Sequence, residues 1–505
     1  MRIQKKQGDR VSAALLSYLL TILHIIVNLI YSPLLIHYIG DSEYGLYQLA
    51  ASFFSYIAIF ESSVSVGVLR FYCNAKAKKD EDAVENVLAV ARYIYNILSL
   101  IVLAAGSMLV VVFYYFYRSS FSHTELVEGC FMLAALLVNL LIILRNAIYL
   151  AAISGNERFV FLRVTAICIQ IGQPVLCYLV IVRHPYALAV VLTQLLFNMV
   201  QVLVRFIYAK RRLRVKAVRH GNGKKLSGSI LAFAGSMLLG DIANQIFWKT
   251  DQVIIGKMYN TAMVAIYSVG SQIYSNYMQV GTSVNSIFYP KLSRLYQEPD
   301  YMVKLSDFFI KAGRVVYYVL FLMLSGFAVF GREFIGYWVG ENYAAAYEVA
   351  LIIMIPFSID LVQNVGLTIL QVLNRYHFRA KIYFVGAVLN IFTTIIFMKW
   401  IGMNGAALST GISMLLTSGV ILNIYYDRMG LDIPKFWKNI GGITVRLLIY
   451  AAIMWFIDRK IGLWSGMVGL AARIFVYSMG YAVVCYFFIF NEYEKGIVSD
   501  LFRRR

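Results

Sequence analysis

Apolar residues along this chain do not alternate with polar ones. They run for twenty or more positions at a time, separated by short polar segments rich in Lys and Arg. A membrane-crossing helix needs roughly 20 predominantly apolar residues. Runs of that kind fall near 12–38, 46–70, 90–117, 126–152, 159–182, 186–209, 229–254, 262–289, 310–330, 346–373, 379–400, 403–426, 440–458 and 466–490. The pattern predicts about fourteen spans, an even number that returns both ends to one side. The division within WIGMNGAAL rests on a turn at Gly402, Asn404 and Gly405. MRIQKKQGDR ahead of the first run has the charge of a secretory leader. The run that follows is longer than the ~7–15-residue core of a leader and lacks a small-x-small cleavage site, so it reads as a retained first span.

Composition agrees with the pattern. Of 505 residues 60% are hydrophobic and only 14% charged, against roughly 25% charged in soluble domains. The 37 Tyr and 33 Phe suit the water–lipid boundary. A net charge of +20 would suggest nucleic acid if it were concentrated on one polar domain, but here it is spread over alternate loops. With the N-terminus cytoplasmic, inner segments hold about 37 Lys and Arg and outer ones about 8, the asymmetry that orients membrane proteins. The most basic segment, KRRLRVKAVRHGNGKK (210–225), contains no acid. It reads as a cytoplasmic loop that orients the chain and meets anionic lipid headgroups, with no nucleic-acid partner. Cys73, Cys130, Cys168, Cys177 and Cys485 lack any C-x-x-C spacing and read as small apolar residues.

Two weak internal alignments have nearly equal offsets, 220 and 219 residues. Gly45-Leu46-Tyr47 matches Ala265-Ile266-Tyr267, and Phe159 in GNERFVFLR matches Phe378 in NRYHFRAKI. A repeat of six spans keeps its orientation, so the two copies are parallel. The expected fold is an all-α polytopic membrane protein. It comprises an N-terminal six-helix lobe (1–209), a basic cytoplasmic linker (210–228), a C-terminal six-helix lobe (229–426), and two additional helices with a cytoplasmic tail (427–505).

Enzyme chemistry finds little support. There is no G-x-x-x-x-G-K-[ST] phosphate loop. The six His are scattered without an H-E-x-x-H or Cys/His cluster, so no catalytic residues and no metal beyond sodium are expected. Outer loops are short, which favours moving a substrate over altering one. Charges inside spans cost at least ~2.5–3.5 kcal/mol each at mid-bilayer and are functional candidates by default. The candidates among them are Glu61 and Arg70 in the second span, Arg145 in the fourth, Asp241 and Lys249 in the seventh, and Asp360 in the tenth. Asp241, Asn244, Gln245 and Trp248 share one helical face; Asp360, Gln363 and Asn364 form another, and Asn390 lies mid-span. Each has a structural alternative: Arg70 and Arg145 can reach the headgroups, and Glu61 can pair with Arg145.

YIGDSEYGLYQLA, SGNERF, FYPKLSRL and GMNGAALSTGIS resemble the bacterial polysaccharide flippases of the multidrug, oligosaccharidyl-lipid and polysaccharide exporter superfamily. The resemblance spans essentially the whole chain. It implies two six-helix bundles around a lumen that opens to one side at a time, in the bacterial plasma (inner) membrane with both termini cytoplasmic. It also implies a substrate, an undecaprenyl-diphosphate-linked oligosaccharide, carried from the inner to the outer leaflet for surface polysaccharide biosynthesis. Arg70, Arg145 and Lys249 are then the cations for diphosphate oxygens, with Glu61 and Arg145 as a lumen ion pair. Sodium or proton coupling falls to Asp241, Asn244, Asp360, Asn364 and Asn390. No organic cofactor is implied; a polysaccharide polymerase and glycosyltransferases are the expected protein partners. The alternatives are a peptidoglycan-precursor lipid flippase, a cation-coupled drug antiporter of the same architecture, and, more distantly, a membrane glycosyltransferase.

Overall fold

The polar turns between apolar runs carry their own helix signals. Asp80 accepts from the Ala83 N–H (2.8 Å), and Ser122 with Glu125 forms a reciprocal capping box. The structure is a computed structural model describing residues 2–220, 223–283, 285–461 and 466–503. It contains α1 (Arg2–Ile39), α2 (Asp41–Ala77), α3 (Glu81–Tyr117), α4 (His123–Gly155), α5 (Phe159–Ile181), α6 (Ala187–Arg211), α7 (Gly223–Met258), α8 (Thr261–Thr282), α9 (Asn285–Leu295) and α10 (Tyr301–Val339). These are followed by α11 (Ala345–Val362), α12 (Val365–Val372), α13 (Tyr376–Ile401), α14 (Asn404–Met414), α15 (Leu422–Arg428), α16 (Ile433–Ile461), α17 (Gly466–Val484) and α18 (Glu492–Arg503). No strand occurs among the described residues.

Among the described residues thirteen helical segments are long and apolar enough to cross a membrane, which makes this a multi-pass membrane protein. The expected span 262–289 is divided between α8 and the short α9. Span 346–373 breaks into α11 and α12 at Gln363–Asn364, and span 403–426 passes through a π-helical segment, Leu415–Ile421, between α14 and α15. In a membrane such irregular backbone persists only where protein or a cavity supplies hydrogen-bond partners.

The chain packs as two units, residues 1–265 and 266–505. In the first, α2 runs antiparallel along α7: Gly45 meets Thr261, Ser52 meets Gln252, Tyr56 meets Thr250 and Ser63 meets Asp241. This seam gathers α7 into the first unit, whereas the sequence reading opens the second lobe with it at 229. The α4 helix lies against α2, α3 and α6, around a core that includes Val68, Tyr95, Leu144 and Ile153. In the second unit α10 packs on α11, α16 and α17. The two C-terminal helices are tied in by buried phenols, with Tyr477 Oη donating to Ser325 Oγ (2.8 Å) and Tyr481 Oη to the Tyr318 carbonyl (2.8 Å). Arg473, the cation of the last span, bonds Glu333 and Asp458 (3.2 Å).

The internal repeat reappears as matched local structure. Phe161 stacks on Tyr208 at 3.9 Å in one unit, and Phe378 on Tyr425 at 3.7 Å in the other. Glu157 and Asn374 both hold left-handed backbone, φ 57° and 55°, at the turns before α5 and α13. The three pairs share one separation, which equates Phe378 with Phe161 and corrects the Phe159 alignment by two residues.

Helix α6 has no capping side chain of its own. Its first N–H groups are taken by acids from two other helices: Ala187 N–H by Glu43 of α2 (2.7 Å) and Leu188 N–H by Glu128 of α4 (3.2 Å). Ala187 is fully buried, so an orphaned N–H there costs about 1–3 kcal/mol. Glu43→Ala is expected to lower the melting temperature in detergent, and Glu43→Gln, which keeps an acceptor, to recover most of the loss. Equal melting of Glu43→Ala and wild type would contradict the cap.

Candidate intramembrane polar sites

Each unit contains its own intramembrane polar cluster. In the first, the α2–α7 seam is a ladder of hydrogen bonds. Ser52 Oγ donates to Gln252 Oε1, the Tyr56 and Thr250 hydroxyls share a hydrogen at 2.7 Å, and Ser63 Oγ donates to Asp241 Oδ2 (2.9 Å), with Ser62 at 3.4 Å. Two neutral donors hold the Asp241 carboxylate against α2. Asn244, expected beside it, is exposed. Lys249 is half-buried and makes no hydrogen bond or ion pair among the described residues. An ammonium without a partner on a membrane-embedded helix is costly and available to a ligand's charge.

Arg70 stacks its guanidinium over the Phe233 ring of α7, Cζ 4.4 Å from the centroid, a cation–π contact. Arg145 is exposed on α4. The structure does not pair it with Glu61: the cation acting on Glu61 is Arg205 of α6, with Ser65 and Tyr95 beside the carboxylate. The buried Tyr95 hydroxyl and Arg205 Nε have no hydrogen-bond partner among the described residues. Glu61 turns toward α6, which packs against α2, and that contact selects its cation. Arg205 escapes a reading by hydropathy because it sits near the end of an apolar run and counts as a loop charge. Yet α6 continues to Arg211, carrying Arg205 back into the bundle.

In the second unit, the α11–α12 break concentrates polar groups. Gln363 Nε2 donates to the Ser418 carbonyl (2.6 Å) inside the π-helical segment, so one irregularity satisfies the other. Asp360 is 5% exposed and Gln363 1%. Asp360 Oδ1, Gln363 Oε1, Arg379 Nε and Tyr426 Oη are all buried without a hydrogen-bond partner among the described residues. Arg379 of α13 is the cation acting on Asp360, and its guanidinium lies 5.0 Å from the Tyr383 ring. Native interiors leave few such groups unsatisfied, so four close together mark a buried polar cluster rather than an apolar packed seam. Asn364 borders it. Asn390 is committed elsewhere: its Oδ1 accepts from Ser409 Oγ (2.7 Å) and its Nδ2 donates to Thr410 Oγ1 (3.1 Å). Like Arg205, Arg379 counts as a loop charge by sequence and is drawn inside because α13 starts at Tyr376.

The helical architecture is that of an all-α membrane transporter. It superposes on the lipid II flippase MurJ in an inward closed conformation with TM-score 0.71 at 14% identity, covering 95% of this chain and 98% of that one. An inward-facing multidrug resistance MATE family transporter of the MOP superfamily superposes with TM-score 0.60 at 14% identity, covering 82% and 96%. Residues 34–348 match the model of the polysaccharide biosynthesis protein family, and the chain belongs to that family. A Shigella flexneri protein whose name assigns it to O-antigen transport is 21% identical over 405 residues, 77% of this chain and 91% of the relative. The protein is thus a multi-pass membrane member of the polysaccharide biosynthesis protein family.

Proposed function

We propose that the protein carries an undecaprenyl-diphosphate-linked oligosaccharide from the inner to the outer leaflet of a bacterial plasma membrane by alternating access, with both termini cytoplasmic. The observation that carries the reading is Lys249, a half-buried intramembrane cation with no hydrogen-bond or ion-pair partner among the described residues. A diphosphate entering an apolar region must exchange water for charge-assisted hydrogen bonds. Lys249 supplies them, with Arg145 and Arg70 as further cations. The drug-antiporter alternative asks instead for acidic or aromatic groups to receive an organic cation. The substrate's prenyl tail stays in lipid.

Cation coupling, sodium or proton, is assigned to Asp241 in the first unit and to Asp360 with Asn364 in the second. Asn390, already hydrogen-bonded, is the weaker member of that set. Arg379 joins the Asp360 cluster, so a cation bound there competes with a resident guanidinium. The relation between the clusters is one of biased states: cation binding favours one orientation of the cycle.

The test is flipping of a fluorescent lipid-linked oligosaccharide in proteoliposomes. Lys249→Met and Arg145→Ala are expected to slow it about tenfold or more each, the scale of one lost charge-assisted contact. Asp241→Asn and Asp360→Asn are expected to remove the dependence on the ion gradient. Wild-type rates in both cation variants overturn the diphosphate assignment, and wild-type ion dependence in both acid variants overturns the coupling assignment.

A further inference from the structure

The basic segment after α6 is not a slack linker. Val215 is buried in the first unit's core, and its N–H donates to the Ala209 carbonyl (3.1 Å). Further on, the His220 N–H donates to Asn86 Oδ1 (3.0 Å), and its ring meets Glu85 Oε2 at 3.2 Å. Fixed at both points, the segment folds back over the α2–α3 turn and roofs a cavity of about 440 Å³. Arg214 and Lys216 line the roof, and Lys76 and Lys79 from the end of α2 line the wall. The floor is braced: Lys76 Nζ donates to Asn156 Oδ1 (2.5 Å), and Asn156 Nδ2 donates to the Tyr72 hydroxyl (2.9 Å).

Three acids also line this cavity, Asp80, Glu81 and Glu85. Two are occupied, Asp80 in capping α3 through Ala83 N–H and Glu85 on His220. Against these three carboxylates stand four cations, Lys76, Lys79, Arg214 and Lys216, which leaves the cavity net positive by one charge at the start of α3, where the helix dipole also favours an anion. Both Lys79 and Arg214 hold left-handed backbone, φ 57° and 50°, a conformation that favours glycine. Strain of this kind persists where the surroundings over-determine it, and here it sets both cations at the cavity.

We infer that this cavity binds a phosphate-bearing anion through Arg214, Lys216 and Lys79. The chemistry is charge-assisted hydrogen bonding from a guanidinium and ammonium groups to phosphate oxygens. A phosphodiester headgroup of an anionic lipid and a soluble phosphate or diphosphate both present those oxygens. The site is separate from the intramembrane cations and does not depend on transport.

The experiment uses the full chain in nanodiscs of phosphatidylcholine alone or with phosphatidylglycerol. Inorganic pyrophosphate binding is read by calorimetry in the first, and retained phosphatidylglycerol by native mass spectrometry in the second. The variants are Arg214→Gln/Lys216→Gln and, separately, Lys79→Gly, which suits the left-handed backbone and so preserves the fold. Binding of either probe by wild type, weakened at least tenfold by the double substitution and severalfold by Lys79→Gly, supports the site. Pyrophosphate binding in the neutral bilayer identifies a soluble ligand, and retention of phosphatidylglycerol alone identifies a lipid. Absence of both from wild type, or wild-type binding by both variants, overturns it.

Discussion

Arg314→Ala is expected to destabilise the protein by about 3–5 kcal/mol, the cost of leaving one partner of a buried ion pair alone. Arg314 of α10 binds Glu494 of α18 bidentately, Nε to Oε1 at 2.6 Å and Nη2 to Oε2 at 2.9 Å, with the two side chains 13% and 3% exposed. The same guanidinium donates to Asn439 Oδ1 (3.1 Å) on α16 and to the Tyr318 hydroxyl (3.1 Å). Glu494 has a second task. Its carboxylate accepts the Asn491 N–H (2.9 Å) while its own N–H donates to Asn491 Oδ1 (2.9 Å), closing a capping box at the start of α18. Removing the arginine therefore strands a buried carboxylate and loosens the C-terminal helix from α10 and α16 together. Thermal unfolding in detergent, followed by size-exclusion chromatography, checks this. Arg314→Met with Glu494→Leu should lose less than the two single losses added together, because the stranded charge is gone. Unchanged melting of both single variants would refute the account.

Gly45→Ala is expected to lose about 3 kcal/mol or more, at the upper end of overpacking costs, and to reduce the yield of monodisperse protein. A β-carbon at Gly45 would run into the carbonyl oxygen of Thr261, and the Ala265 amide nitrogen is 3.1 Å away. Both obstacles are backbone and cannot rotate aside. Helix α2 cannot retreat either, since Tyr44 and Leu46 on either side are buried at 1% and 0% exposure, and Thr261 is held by its hydroxyl on Glu125 Oε1 (2.7 Å). Gly441→Ala in α16 is the control. Nothing lies within 4 Å of a β-carbon there, so alanine should be neutral or gain up to about 1 kcal/mol from helix propensity. Comparable losses at the two positions would show that close approach at Gly45 is not the cause.

The helical membrane character was legible because it is local: a run of about twenty apolar residues satisfies its backbone within itself. Several candidate charges were legible for a related reason, since Glu61, Asp241, Lys249 and Asp360 interrupt such runs. Arg205 and Arg379 were not, because each lies close to an end of its apolar run, where a cation reads as a loop charge. The helices α6 and α13 extend past that point. The basic stretch 210–225 announced its charge, but nothing local told that Val215 would enter the core and roof a cavity.

By itself the sequence determined the apolar, membrane-crossing character of the helices, their internal repetition, and the presence of costly charges within them. Spacing along a helix sets which residues share a face, yet it leaves open which helix that face will meet. Only the tertiary structure decided that Glu61 faces Arg205, that Asp360 faces Arg379 beside a broken helix, and that Glu494 closes on Arg314. These partners lie far apart along the chain. Their pairing is selected by helix packing, where a charge in an apolar setting is tolerated only beside an opposite charge or a donor.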